Sequence, residues 1–283
     1  MVVVTLLLVG LFAFLNRRVI GIHSILSTGK RLGQGAEPRQ EETSTNPQEL
    51  LAEANRLFWL NNGPKAAPFY AKAESLFANS GDTRNALYTK VGRLRSNAET
   101  MSFVELSQFL NEQIQRPMVR NDPSLHLWCL IAKGYTDIEI DYRAAKRDWL
   151  EAQDIAKDLG ENQWVTRASG ELGLIGFLEG NPGRAARLLG GALLSTMASG
   201  DTGGQVRFLE LIGTGFEEVN RHAEALKFFE RAIKLAESNP DSGLPFMAYE
   251  GKAQSLVSLG KPNEAKQLLE DAYKSPIRAE AWT

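Results

Sequence analysis

The chain has one cysteine, Cys129, and three histidines in 283 residues. One cysteine excludes an intrachain disulfide and leaves the redox compartment open. So few soft ligands, none of them at metal-ligand spacing, argue against a zinc site, which takes three or four. Basic clusters are also missing from the body of the chain. Residues 1–40 carry five Lys/Arg against one Glu, a net +4, so residues 41–283 hold −6 of the overall −2. A mildly acidic body without a basic stripe speaks against nucleic acid as a partner. No glycine-rich stretch carries phosphate-loop chemistry: GNPGRAARLLGG lacks the Lys-Ser/Thr pair, and GTGFEE follows no strand. No apolar run reaches the roughly 20 residues that span a bilayer, although one comes near.

That run is Val2–Leu15, interrupted only by Thr5 and Gly10 and followed by Arg17 and Arg18. Snorkelling arginines or local thinning can cover the shortfall. Residues 1–26 therefore read as an N-terminal membrane segment, an anchor or a signal peptide. Positive charge lies after the run and no A-x-A site follows, which favours an uncleaved anchor with a cytoplasmic body. An exported body, periplasmic or extracellular, stays open as the alternative. Residues 27–46 are polar with glycine and proline and read as a flexible linker.

From residue 47 onward the chain repeats. DYRAAKRDWLEAQDIAKDLG, NPGRAARLLGGALLSTMASG, RHAEALKFFERAIKLAESNP and KPNEAKQLLEDAYKSPIRAE align without a gap at a spacing of 40. The alignment puts Ala145, Ala185, Ala225 and Ala265 in one column. Trp149, Leu189, Phe229 and Leu269 form a second, and Ala152, Ala192, Ala232 and Ala272 a third. Offsets of four and three place each trio on one helical face. The segments between copies carry apolar residues at helical spacing, among them Leu172 and Phe177, Leu209, Ile212 and Phe216, and Tyr249, Leu256 and Leu259. Gly180, Gly200 and Gly260 stand where a helix ends in a left-handed residue, and Pro182 and Pro262 where the next begins. The unit is a helix-turn-helix of about 40 residues. Leu50, Ala54, Leu57, Ala66, Tyr70 and Ala73 fit a first copy, and Asp82 to about Val119 fits a second loosely, around Tyr88 and Gly92.

These residues resemble the tetratricopeptide repeat, most closely through Leu209, Ile212, Gly213, Phe216, Ala225, Phe229 and Ala232. The spacing of 40 exceeds the usual 34 of that family. The resemblance implies an all-α fold over residues 47–283, a right-handed solenoid of about six helix hairpins that binds a protein or peptide on its concave surface. It places Asn55, Phe58, Arg93, Arg167, Arg207, Glu210, Thr214, Glu250 and Gln254 on that groove, where Asn55 and the three arginines would clamp an acidic or C-terminal peptide. Reversing Arg167 and Arg207 to Glu is then expected to weaken binding without lowering stability. A second, looser resemblance lies in ASGELGLIGFLEG and FMAYEGKAQ, which are similar to the repeat arrays preceding caspase-like CHAT peptidase domains in environmental bacteria. It implies a regulatory or sensor arm of a larger protein as the alternative function.

Residues with chemistry to offer do not assemble into a catalytic set. His126 and Cys129 share a helical face but lack a third partner, His23 and His222 stand alone, and Glu37, Glu41, Glu42, Glu217 and Glu218 read as solvated surface. Trp149, Trp164, Phe228 and Phe229 sit in core register rather than in a ligand box. The expectation is a membrane-tethered interaction scaffold with no enzymatic activity, cofactor or metal. After the last copy only SPIRAEAWT follows. Tyr249, Leu256, Leu268 and Tyr273 are therefore expected near an uncapped end, with Trp282 close by, and self-association there is expected.

Overall fold

The computed structural model describes residues 44–96 and 101–274. The proposed membrane segment 1–26, most of the linker and the tail after Lys274 lie outside the described residues. Among the described residues there are thirteen helices and no strand, an all-α, helical-repeat-like fold. The helices are α1 (Pro47–Trp59), α2 (Gly63–Asn79), α3 (Thr83–Ser96), α4 (Phe103–Gln115), the single turn α5 (Pro117–Arg120), α6 (Pro123–Asp137), α7 (Tyr142–Asp158), α8 (Asn162–Leu178), α9 (Pro182–Ser199), α10 (Thr202–Glu218), α11 (His222–Glu237), α12 (Phe246–Ser258) and α13 (Pro262–Lys274). None of them is long and apolar enough to cross a membrane.

Helix ends follow a twenty-residue rhythm. The left-handed positions are Asn61, Gly81, Gly160, Gly180, Gly200, Asn220 and Gly260, which include all three glycines expected to end helices. At Gly180 the backbone N–H bonds Phe177 O at 2.9 Å and the next N–H, of Asn181, bonds Gly176 O at 2.8 Å. The same pair of bonds closes α7 at Gly160 and α12 at Gly260. These reverse bonds satisfy carbonyls that the helix leaves open, and glycine takes the left-handed conformation without a Cβ penalty. New helices then start from side-chain caps: Asp122 on Leu125 N, Asp141 on Arg143 N, Asn181 on Arg184 N and Asp201 on Gly204 N.

Short turns make consecutive helices pack on one another, α1 on α2, α2 on α3 and α6 on α7 through to α12 on α13. α8 also packs on α10, and α10 on α12, so every second helix shares a layer. The region that fits the repeat loosely is the one that departs from this order: α3 and α4 both pack on α6. The aligned columns form the buried seam. Ala145, Ala185, Ala225 and Ala265 are all buried, as are Ala152, Ala192, Ala232 and Ala272. Between them Trp149, Leu189 and Phe229 are buried completely, whereas Leu269 in the final copy is 47% exposed. Each large residue seats where a facing helix has no Cβ: Trp149 against Gly134, Leu189 against Gly173, and Phe229 against both Gly213 and Gly251.

The end of the array differs from expectation. Tyr249 and Leu256 are buried rather than exposed, because α12 packs between α11 and α13. Leu268 is half-buried, and the surface of α13 carries Lys266, Gln267, Glu270 and Asp271 around Leu269. The last described helix thus presents a mostly polar outer face.

Ala232→Leu is expected to destabilise the chain by about 1–3 kcal/mol through overpacking, whereas Leu269→Ala, the aligned position of the large column in the last copy, should cost less than about 0.5 kcal/mol. Urea denaturation of both variants checks this contrast.

Candidate functional site

The groove residues were expected on α1, α3, α8, α10 and α12, and one long-range contact decides the shape of that face. The turn between α1 and α2 docks onto the far part of the chain. Trp59 Nε1 donates to Asp201 Oδ1 at 2.8 Å, Asn61 Nδ2 to Gly203 O at 3.0 Å, and Asn62 Nδ2 to Asp241 O at 3.0 Å. The Gly243 N–H donates to Leu60 O at 3.0 Å, and Arg56 pairs with Asp241 at 3.0 Å. Backbone lies so close here that a Cβ on Gly203 would collide with Trp59 O and one on Gly243 with Asn61 O. The first helix pair is therefore fastened to the start of α10 and to the segment ahead of α12.

Behind this contact the face fills with aromatic rings and paired charges. Trp59 meets Trp164 edge-on at 4.7 Å, Trp164 meets Trp128 at 6.0 Å, and Trp128 stacks on Tyr88 at 4.8 Å. Phe58 packs edge-on against Trp128 and Tyr70. Tyr135 of α6 stands at the centre of the charges. Arg95 lies 3.8 Å over its ring, Arg167 Nη1 donates to its hydroxyl at 3.2 Å, and Arg207 is 5.8 Å from its ring centroid. Arg207 also grips Glu171 with two bonds, Nε to Oε1 at 3.0 Å and Nη2 to Oε2 at 2.9 Å. Arg167 is held over the rings of Trp59 and Phe208. Rings on both sides offset part of the cost of removing an arginine from water.

Burial and pairing separate the carboxylates. Burial alone would raise the Glu171 carboxyl, but the charge and bonds of Arg207 hold it below the usual range. Glu210, buried and bonded among the described residues by the Ala248 N–H at 3.3 Å, is pushed by burial up to about 7 against the pull of Arg207. Burial likewise lowers the Arg95 guanidinium to about 10.

The residues expected on the groove thus divide. Arg167 and Glu210 are buried, and Arg207 is mostly so, its charge satisfied inside the protein. Arg93 pairs with Glu74 at 2.7 Å, Asn55 accepts from the Tyr70 hydroxyl at 2.7 Å, and Phe58 is part of the ring cluster beneath Arg95. Thr214 and Glu250 are half-buried and Gln254 is exposed. The expected four-residue clamp of Asn55, Arg93, Arg167 and Arg207 is therefore bound up in internal contacts. Reversal of the two buried arginines cannot leave stability untouched, because the register of a helix does not reveal what closes over it. Arg95, Tyr135 and Glu171 were missed. Glu171 carried a signal, a lone carboxylate in the otherwise small and apolar stretch ASGELGLIG.

Cys129 and Ser255 are not set up as nucleophiles. Burial pushes the Cys129 thiol up to about 12, so it holds its proton at neutral pH. Glu217 accepts from the Ser255 hydroxyl and contacts His222 Nδ1 at 2.9 Å. The carboxylate stands between hydroxyl and imidazole, an order in which histidine does not reach serine as a base. Among the described residues no group of three or more His, Cys, Asp or Glu is placed to hold a metal ion.

What the fold defines is an all-α protein of packed helix pairs. No family model and no curated protein matches the sequence. Among solved structures the chain is similar to the crystal structure of BtubC (BKLC) from P. vanneervenii, with 14% identity and a TM-score of 0.43 over 83% of this chain and 92% of that one.

Arg207→Glu leaves Glu171 and Glu210 facing a third carboxylate and should destabilise the protein by about 3–5 kcal/mol, measured by urea denaturation. Glu210 has a pH signature of the opposite sense to an ion-paired acid. Its pKa rises on folding from 4.5 to about 7, so the unfolded chain releases this proton first. The stability it contributes below the unfolded value is lost as pH climbs through that window, by ~3 kcal/mol. Glu210→Gln should flatten the fall in stability between those two pH values.

Proposed function

We propose that the protein is a non-enzymatic protein-interaction scaffold: a right-handed, tetratricopeptide-like solenoid of about six helix hairpins, tethered to a membrane through residues 1–26. The observation that supports it most directly is the seam of aligned residues, in which successive helices bury their large and small columns against one another from one pair to the next. Such arrays hold a long, exposed surface in a fixed shape, which suits recognition of another chain. The inertness of Cys129 and the Glu217-centred contact of Ser255 and His222 favour a binding role over catalysis.

The partner is a protein or peptide, and the part of the expected groove that fits it is the α10–α12 end. There Thr214, Glu250 and Gln254 reach the surface to differing degrees, whereas the α1–α8 part is packed with rings and internally paired charge. A partner strand lying there would meet polar side chains on two neighbouring first helices, with Lys252 paired to Glu230 at 3.3 Å beside them.

Thr214→Arg combined with Gln254→Arg should abolish capture of partners by the full-length chain in a crosslinking pull-down, while Lys146→Gln, on α7 in a pair with Glu179, should leave capture intact. Undiminished capture by the double variant would remove this surface from the reading.

A further inference from the structure

A cavity of about 140 Å³ lies between α3, α4 and α6, lined by Leu94, Arg95, Met101, Phe103, Leu106, Tyr135 and Thr136. Its walls are apolar apart from the last of α3's arginines and the two α6 residues. Phe103, one of those walls, is exposed to solvent at 37%. Two of the three polar residues have hydrogen bonds of their own: Thr136 Oγ1 donates to Ala132 O at 2.9 Å, and the Tyr135 hydroxyl accepts from Arg167. The third does not. Arg95 Nη1 is shut off from solvent and meets no acceptor. Among the described residues no carboxylate lies within ion-pair distance of Arg95, since Glu171 is committed to Arg207 with both oxygens. Arg167, the neighbouring cation, also has a buried N–H without an acceptor, Nε.

A guanidinium with one N–H shut off from solvent and no anion paired to it is costly, and rings above and below it offset only part of that cost. A water molecule can accept the spare N–H but brings no charge. A carboxylate supplies both the acceptor and the charge, in the planar form a guanidinium matches. A phosphate dianion is a poorer match, because the cavity offers one cation and no further free donor. The small volume and apolar walls of Leu94, Met101, Phe103 and Leu106 then set the rest of the ligand: one ring or one branched chain.

We propose that this cavity is a binding site for an apolar organic monocarboxylate, whose carboxylate pairs with Arg95 and whose body lies against Leu94, Met101, Phe103 and Leu106. The site is separate from the α10–α12 surface, so it stands or falls independently of the scaffold reading. Its occupant ties α3, α4 and α6 together at the place where the helix order departs from the regular repeat.

The test is a calorimetric titration of the full-length chain with benzoate and with benzamide, which share a ring and differ in charge. Benzoate should bind about tenfold or more tightly than benzamide. Arg95→Gln should erase that difference, and Arg84→Gln, at the start of α3 in a pair with Asp122, should preserve it. Met101→Trp fills the cavity while retaining Arg95, and should abolish binding of both, which keeps the test decisive if Arg95→Gln fails to fold. Equal affinity for the two compounds, or benzoate binding that survives Met101→Trp, overturns the proposal. So does displacement of benzoate by a leucine-terminated peptide but not by free 4-methylpentanoate, which would assign the pocket to a peptide C-terminus.

Discussion

The packing of one large side chain into a position without a Cβ sets the geometry of everything else. Phe229 enters the space left by Gly213 on the helix before it and by Gly251 on the helix after it, so one ring determines two helix separations. Leu189 with Gly173 and Trp149 with Gly134 repeat the first of these two contacts one and two units upstream. Flanking alanines at offsets of four and three allow the backbones to approach that closely. Protein interiors at this density tolerate little change in volume. Leu269 shows the dependence from the other side: it aligns with these residues in the last described helix, and it is exposed.

The packing of the intervening helices brings the α1–α2 turn to the beginning of α10. Trp59 and Asp201 are 142 residues apart in sequence, and Asn62 and Asp241 are 179 apart. This junction uses backbone carbonyls, side-chain amides and two close glycine approaches, features of a specific contact rather than of apolar collapse. It also covers the face of the first helices. Arginines that would otherwise offer charge to a partner instead lie over Trp59, Phe208, Phe58 and Tyr135.

The interior that results is electrostatically uneven. Arg207 and Glu171 form a two-bond pair that keeps the carboxylate ionised in spite of burial. Glu210, with a single backbone donor, shifts the other way. Arg95 has only rings on its flanks and a cavity beside it. Stability and ligand chemistry therefore meet on the same side chains, and the α10–α12 end is left as the more open part of the face.

The sequence by itself determined the local structure. Alanine and large-residue columns, glycine punctuation every twenty residues and proline starts all act within one helix pair, where neighbours in space are neighbours in sequence, so helix existence, register and the buried faces were legible. The looseness of residues 82–119 was legible too, and it marks the region where α3 and α4 both pack on α6. Only the tertiary structure decided the fate of the first-helix face. Helical register placed Arg167, Arg207 and Glu210 on one side, but whether that side opens to a partner or closes on Trp59 depends on how helices far apart in sequence pack together, which no local pattern encodes. The same holds for Arg95, Tyr135 and Glu171, which lie on three different helices and become a site only when α3, α6 and α8 pack into place.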